Sequence, residues 1–214
     1  MTRSVYNDAE FVEAYAETNS NFPKLAARLE RLTRDMEGEC MLDLGCGHGR
    51  DTRMMAKLCC KAVGVDYSEE MLRKAVDMSQ GNGRIEYVLA DMRSIGDIFD
   101  EDSFALGWCT ASLIHVPVEE TPGVLRGLGR VTKPGTISYV GIKGGETGTK
   151  VITEIKYGRE ISREFSLWRA EDFDALARSV GFEVAGFDRE WSGVTAGKPT
   201  EWLNFELRNK KASR

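Results

Sequence analysis

One stretch constrains this chain more than any other: Met41-Leu42-Asp43-Leu44-Gly45-Cys46-Gly47-His48-Gly49. Met41, Leu42 and Leu44 are apolar and bounded by turn signals, as in a buried central strand of a parallel sheet. Gly45, Gly47 and Gly49 then allow positive φ and a close approach between main chain and ligand. The helix that follows aims its free N–H groups, and their partial positive charge, at whatever binds there. The spacing narrows the ligand. A dinucleotide fingerprint, Gly-x-Gly-x-x-Gly, needs its third glycine at position 50, where Arg50 stands. The pattern present is Asp-x-Gly-x-Gly-x-Gly, a turn suited to an amino-acid-like or uncharged ligand rather than a pyrophosphate. A tight strand-to-helix turn that binds nothing is the alternative until the downstream residues are read.

A length of 214 residues suits one domain with a full core. The chain is 42% hydrophobic and 29% charged, which places it among ordinary globular proteins. Its net charge of −5 gives no global basic footprint for nucleic acid or an anionic membrane. No apolar run approaches a membrane span, and Met1 to Glu10 lacks the apolar core of a signal peptide, so a cytoplasmic protein is expected. The five cysteines (Cys40, Cys46, Cys59, Cys60 and Cys109) are odd in number and lie largely in apolar runs. Reduced, buried thiols follow.

Helices are expected over Asp8 to Thr18 and over Phe22 to Met36, the second capped by Asn21 and stopped by Gly38. After the opening strand, Cys40 to Leu44, a helix runs from Arg50 to Cys59. The second strand is Ala62 to Val65, ending at Asp66. A carboxylate at that strand end can accept hydrogen bonds from both ribose hydroxyls of a nucleoside, or it can simply cap the next helix. Tyr67, beside it, can lie against an adenine. Ser68 to Met78 is helical with Met71, Leu72, Ala75 and Val76 inward. The third strand, Ile85 to Leu89, is again followed by an acid, in Ala90-Asp91-Met92. The fourth strand is Phe104 to Cys109, the next helix Val118 to Thr132, and the fifth strand Ile137 to Lys143. Val151 to Ile155 and Ile161 to Leu167 look extended, with Tyr157-Gly158 as their turn. A helix, Glu171 to Val180, and two strands, Phe182 to Glu190 and Glu201 to Leu207, complete the chain.

The glycine turn with Asp66 and Asp91 resembles the class I S-adenosylmethionine (SAM)-dependent methyltransferases, over about Cys40 to Leu207. Thr110 to Pro117, with Ser112 and His115, is similar to the small-molecule, ubiquinone- and biotin-pathway-like group, methyltransferase domain type 11/25. The Asn/Asp-Pro-Pro-aromatic signature of enzymes that methylate exocyclic base amines is replaced by Cys109-Thr110-Ala111-Ser112. The resemblance implies an α/β, Rossmann-like fold with a seven-stranded, mostly parallel sheet, its last strand antiparallel and helices on both faces. It implies S-adenosyl-L-methionine as cofactor and S-adenosyl-L-homocysteine as product. The implied cofactor residues are Asp43, Gly45, Cys46, Gly47, Gly49, Asp66, Tyr67, Asp91, Met92 and Cys109. Within a single domain, residues 1–38 are N-terminal helices and a candidate lid, 40–143 the SAM-binding half, 144–167 an extended insertion, and 168–209 the C-terminal helix and strands.

A sulfonium already activates its methyl group, so the protein has only to align an acceptor lone pair and exclude water. A base is needed only for an acceptor of high pKa. His48 lies in the glycine turn and reads as a polar neighbour of the helix. His115 is the candidate base, with a packing role as the rival reading. Two histidines and no Cys-x-x-Cys make a poor ligand set, so no metal is expected. From Lys143 through Arg169 six cations face four carboxylates, a local surplus that would favour an acidic small-molecule acceptor; a solvated hairpin or a homodimer contact is the alternative. Two other functions compete. A tRNA or other RNA methyltransferase is opposed by the low basicity. A SAM-binding protein that transfers no methyl would bind the cofactor without forming S-adenosylhomocysteine.

Overall fold

The computed structural model describes residues 2–212; Met1, Ser213 and Arg214, the ends of the expected domain, lie outside the described residues. Five strands form the parallel part of the sheet: β1 (Cys40–Leu44), β2 (Lys61–Asp66), β3 (Ile85–Leu89), β4 (Leu106–Thr110) and β5 (Ile137–Gly144). They lie in the order β3-β2-β1-β4-β5, every neighbouring pair parallel. Further along the chain come the strands β6 (Gly148–Lys156), β7 (Arg159–Trp168), β8 (Phe182–Thr195) and β9 (Lys198–Asn209). Antiparallel β9 extends the sheet beside β5, and β8 pairs with β9. These seven strands are the expected sheet.

The sheet is larger than expected by one hairpin, β6 with β7, which brings it to nine strands among the described residues. Lys143 of β5 pairs with Trp202 of β9 on one edge and Leu167 of β7 on the other. The second edge is the one β4 occupies lower down, where Thr110 pairs with Gly141. The hairpin therefore takes over where β4 ends and rises above the carboxyl ends of the strands. Tyr157-Gly158 is its turn, as expected, with both residues at positive φ.

Helices cover both faces. They are α1 (Thr2–Tyr6), α2 (Ala9–Thr18), α3 (Pro23–Leu32), α4 (Arg50–Met55), α5 (Glu69–Ser79), α6 (Ile95–Ile98), α7 (Thr121–Val131) and α8 (Ala170–Ser179). The alternation of a strand feeds two cores. Met41, Leu106, Trp108 and Tyr139 face Leu29 and Met55 on one side. Leu42, Leu44, Val140 and Ile142 face Leu125, Leu128 and Phe173 on the other.

Several local expectations need correction. Asn21 does not cap α3; Phe22 holds the cap position without a side-chain bond, and Pro23 supplies the pre-set first turn. That helix stops at Leu32, well before Gly38, and the Thr33 hydroxyl donates to the Leu29 carbonyl at 2.8 Å. Val76 is exposed, so the inward stripe of α5 is Met71, Leu72 and Ala75. Cys60 is exposed rather than buried. Three elements were not foreseen: α1, α6, and the outer half of the β8–β9 hairpin. The last continues past Glu190 to a turn at Ala196-Gly197, both at positive φ.

Candidate active site

A cavity of about 580 Å³ opens at the carboxyl ends of β1, β2, β4 and β5, where open parallel sheets bind ligands. Residues of α1, α2, α3 and the two hairpins line its outer part. At one end lies the glycine turn. Gly45, Gly47 and Gly49 all have positive φ, but for different reasons. A Cβ on Gly45 would fall 2.2 Å from Ser112 Cβ, and one on Gly49 2.1 Å from the Tyr87 hydroxyl oxygen. Those two glycines let protein pack against protein. A Cβ on Gly47 would meet nothing closer than Met71 Sδ at 3.8 Å, so it would project into the cavity.

Asp66 sits beside this turn and ties it down. Its carboxylate accepts from the Gly47 N–H at 2.8 Å and from the Ser68 N–H at 2.9 Å. Burial pushes its carboxyl up, against the pull of those N–H groups. Gly45, Cys46, Gly47, Tyr67 and Met92 also line the cavity, and the Tyr67 hydroxyl is buried with no bond partner among the described residues.

Three implied cofactor residues stand elsewhere. Gly49 packs under Tyr87. Cys109 is buried beneath the cavity, its Sγ 3.1 Å from Ser112 Oγ, and burial raises its thiol to about 11. Asp91 caps the single turn Met92–Ser94 and is taken up by arginines, with Arg93 Nη2 and Arg3 Nη2 each at 2.6 Å. The Arg93 bonds chiefly hold its carboxyl below the usual range.

Asp43 is 2% exposed and accepts from Thr52 Oγ1 at 2.6 Å. Burial, then the neighbouring Asp51, hold its carboxyl well above the usual range. Asp51 was missed by the sequence reading. It accepts from Trp108 Nε1 at 2.9 Å, Thr110 Oγ1 at 3.0 Å and Arg50 Nε at 2.6 Å. Its signal was an acid in the first turn of the helix after the glycines. Arg50 also lies 4.4 Å over the Phe22 ring and lines the cavity. His48 is buried there too, its imidazole pushed down to about 4 by burial first and then by Arg50 and Arg53.

At the other end, α1 delivers Tyr6. Its hydroxyl lies 3.0 Å from His115 Nε2, and His115 Nδ1 lies 2.9 Å from the Glu164 carbonyl oxygen. A carbonyl only accepts, so Nδ1 carries the hydrogen and Nε2 accepts from Tyr6. Burial pushes His115 down to about 3. Arg163 Nη1 donates to the Tyr6 oxygen at 2.9 Å, and its Nη2 pairs with Glu154. The candidate lid residues divide: Tyr6, Tyr15 and Phe22 line the cavity, while Phe11 is buried and meets Tyr6 edge-on at 5.6 Å. Arg159, which the local charge surplus had pointed to, is exposed and straps α2 through Asp8 at 2.9 Å. Trp191, Thr195 and Thr200 of the β8–β9 hairpin complete the wall. Among the described residues no three metal-binding side chains cluster.

The order of the strands, with helices on both faces and the cavity at the strand ends, is the fold of the class I SAM-dependent methyltransferases. Residues 41–135 match the family model of a methyltransferase domain. The chain is 27% identical to a 23S rRNA (uracil(1939)-C(5))-methyltransferase of Chromobacterium violaceum over 135 residues, which is 63% of this chain and 26% of that protein. It is 36% identical over 105 residues to a demethylmenaquinone methyltransferase of Clavibacter sepedonicus, covering 49% of this chain and 41% of that one. The chain thus spans between a quarter and a half of these relatives. A crystal structure of a SAM-dependent methyltransferase from Methanosarcina mazei superposes with a TM-score of 0.72 at 19% identity, over 89% of this chain and 98% of that one. No helix among the described residues is long and apolar enough to cross a membrane.

Proposed function

We propose that this protein transfers a methyl group to a small-molecule acceptor by direct in-line displacement. The observation that carries this reading is the pairing of two ends in one cavity. The Asp66–Gly47 turn is at one end, and the Tyr6–His115 hydrogen bond is at the other. SAM, when bound, supplies a sulfonium-activated methyl group and departs as a neutral thioether. Asp66 holds the ribose hydroxyls, and Gly47 leaves room for the main chain to meet the ligand. Tyr67 and Met92 border the adenine. Arg50 offers its guanidinium to the carboxylate of the methionine arm, with Asp51 paired to it.

His115 and Tyr6 hold the acceptor and manage its proton. The Tyr6 oxygen keeps a lone pair after accepting from Arg163, and can accept from an acceptor O–H or N–H. As that proton moves to Tyr6, the Tyr6 proton moves to His115 Nε2. An imidazole whose pKa is pushed down to about 3 is a weak base. It suits an acceptor that attacks through a neutral lone pair and sheds its proton as the new bond forms, when that proton is most acidic.

His115→Asn and Tyr6→Phe test this. In a screen of small-molecule acceptors read as S-adenosylhomocysteine release, each variant is expected to lose about 10²-fold or more in kcat while keeping its SAM affinity. Wild-type kcat in both variants would remove the pair from the chemistry. The similarity to an rRNA methyltransferase supports a second reading, with a nucleotide as acceptor. Tight RNA binding that weakens steeply with salt would favour it, but the net charge of −5 argues for the small molecule.

A further inference from the structure

The two ends of the cavity differ in how their charges are balanced. At the glycine turn Asp51 is paired with Arg50, and burial holds the carboxyls of Asp43 and Asp66 high. Lys143, Lys156 and Arg163 gather at the far end beside the carboxylate of Glu154, while Glu190, which also lines the cavity, pairs with Lys24. The Glu154 carboxylate is already engaged: Oε1 pairs with Arg163, and Oε2 accepts from the Ala196 N–H at 3.3 Å.

Lys143 is the residue that needs explaining. It stands on β5 where that strand is paired on both edges, so its main chain is fixed. It is only 6% exposed. Its ammonium donates to Thr195 Oγ1 at 2.6 Å and lies 3.9 Å from the centre of the Phe165 ring. The ion pairs among the described residues give it no carboxylate. Arg163, 7% exposed, lies 4.9 Å over the same ring, and its Nε is buried without an acceptor among the described residues. Two buried cations thus share one aromatic ring and one counter-charge. A buried charge is costly unless it is paired, and evolution rarely keeps one in a core without a use. Burial first, and Arg163 second, push the Lys143 ammonium down to about 8, so at neutral pH it is still largely charged.

We propose that Lys143 and Arg163 bind an anionic group of the methyl acceptor, a carboxylate or a phosphate monoester. The identification of that ligand as the acceptor rests on the methyl-transfer reading above; the anion site itself does not. An anion here supplies the missing counter-charge to both cations. Arg163 also bonds to Tyr6, so an acceptor anchored by its anion extends its other end toward the Tyr6 hydroxyl and the glycine turn. The molecule that fits has an anion at one end and an oxygen or nitrogen nucleophile at the other, along walls formed by Phe165, Trp191 and Trp202.

The test uses the full chain, with and without S-adenosylhomocysteine. The probes are inorganic phosphate and benzoate, titrated at an ionic strength held constant with chloride and followed by calorimetry and thermal unfolding. Saturable binding of at least one probe is expected. Lys143→Met should weaken it by about tenfold or more, the loss of one charge-assisted hydrogen bond. S-adenosylhomocysteine affinity should not change. The ligand-free Tm of Lys143→Met should hold or rise, since a buried unpaired charge is replaced by an apolar chain of similar length; a merely structural lysine would lower it. The better probe tells carboxylate from phosphate. If Lys143→Met does not fold, Lys143→Gln and Arg163→Lys take its place. The proposal is overturned if neither probe binds the wild type saturably, or if the variants bind as the wild type does. A wild type that binds a probe but no S-adenosylhomocysteine would instead sink the methyl-transfer reading and leave the anion site standing.

Discussion

Two glycines of one turn should respond oppositely to the same substitution. Gly47→Ala and Gly49→Ala each place a Cβ on a residue held at positive φ, at 53° and 73°. That backbone alone costs an alanine about 1–2 kcal/mol. At Gly47 the new methyl has free space, with its nearest neighbour 3.8 Å away, so the loss of stability stops near that figure. At Gly49 the methyl falls 2.1 Å from the Tyr87 hydroxyl and 3.0 Å from Ala75 Cβ. Tyr87 must move, breaking its 2.9 Å hydrogen bond to Ser79. Overpacking adds about 1–3 kcal/mol, for a total of about 2–5 kcal/mol. Ligand binding should follow the reverse order. The Gly47 methyl intrudes where Asp66 and the main chain meet the cofactor, and SAM affinity should fall below detection by calorimetry. Gly49→Ala, in the fraction that folds, should still bind. Urea unfolding and SAM titration on both variants give the answer. Gly47→Ala binding SAM at near wild-type affinity would refute the reasoning, as would equal stability of the two variants.

Asp66→Ala should weaken SAM by about 1.5–3 kcal/mol, the range for hydrogen bonds to a charged group. It should also lower Tm, because the Gly47 and Ser68 N–H groups lose their acceptor; unchanged affinity in a calorimetric titration would remove the ribose assignment. Stability should fall as the solution is made acid, and the sign follows from the histidines. His48 and His115 are held at about 4 and about 3, below their ordinary value of 6.5, so the unfolded chain binds more protons between these limits. Their contribution is complete above 6.5 and is lost as pH falls toward 4 and then 3. Asp43, held high, works the other way as pH rises. A Tm profile that His48→Asn leaves equally steep between pH 6 and about 4.5 would contradict this.

The glycine-turn end of the candidate site was legible as a cavity wall because it is written locally. A strand, a glycine turn and a helix follow one another in sequence, and Asp66 and Tyr67 lie one strand–helix–strand unit on. Period and turn chemistry suffice to find such residues. The acceptor half is written non-locally. Tyr6 and His115 are 109 residues apart, and Arg163 and Tyr6 are 157 apart; no periodicity links them. Lys143 looks in sequence like the charged end of a strand. Only the double pairing of β5 shows that it is enclosed. The charge surplus from 143 to 169 was read correctly as a property of the segment, but it pointed as much to Arg159 as to Arg163. Alternation along β7 could have separated them only with the face known, and the face is set by the β4–β5 edge. Gly49 and Cys109 illustrate the reverse limit: a motif position does not say whether a glycine clears space for a ligand or for a tyrosine.

Helix α1 connects the two halves physically. Its Ser68 bond, from the hydroxyl to the Tyr6 carbonyl at 2.6 Å, and the Arg3 contacts with Asp91 and Tyr67 tie it to the cofactor end. The Tyr6 hydroxyl and the Thr2 hydroxyl, which accepts from the Glu164 N–H at 2.8 Å, tie it to the acceptor end. A short helix held at both ends can leave only when both sets of bonds break, so it reports on both sites at once. Charge supplies the complement. On the functions proposed above, the cofactor lies at the glycine turn and an anionic acceptor group at the basic end, and Tyr6 of α1 lines the cavity they share. Transfer of the methyl turns the sulfonium into a neutral thioether, so the spent cofactor carries one positive charge fewer than the one that bound.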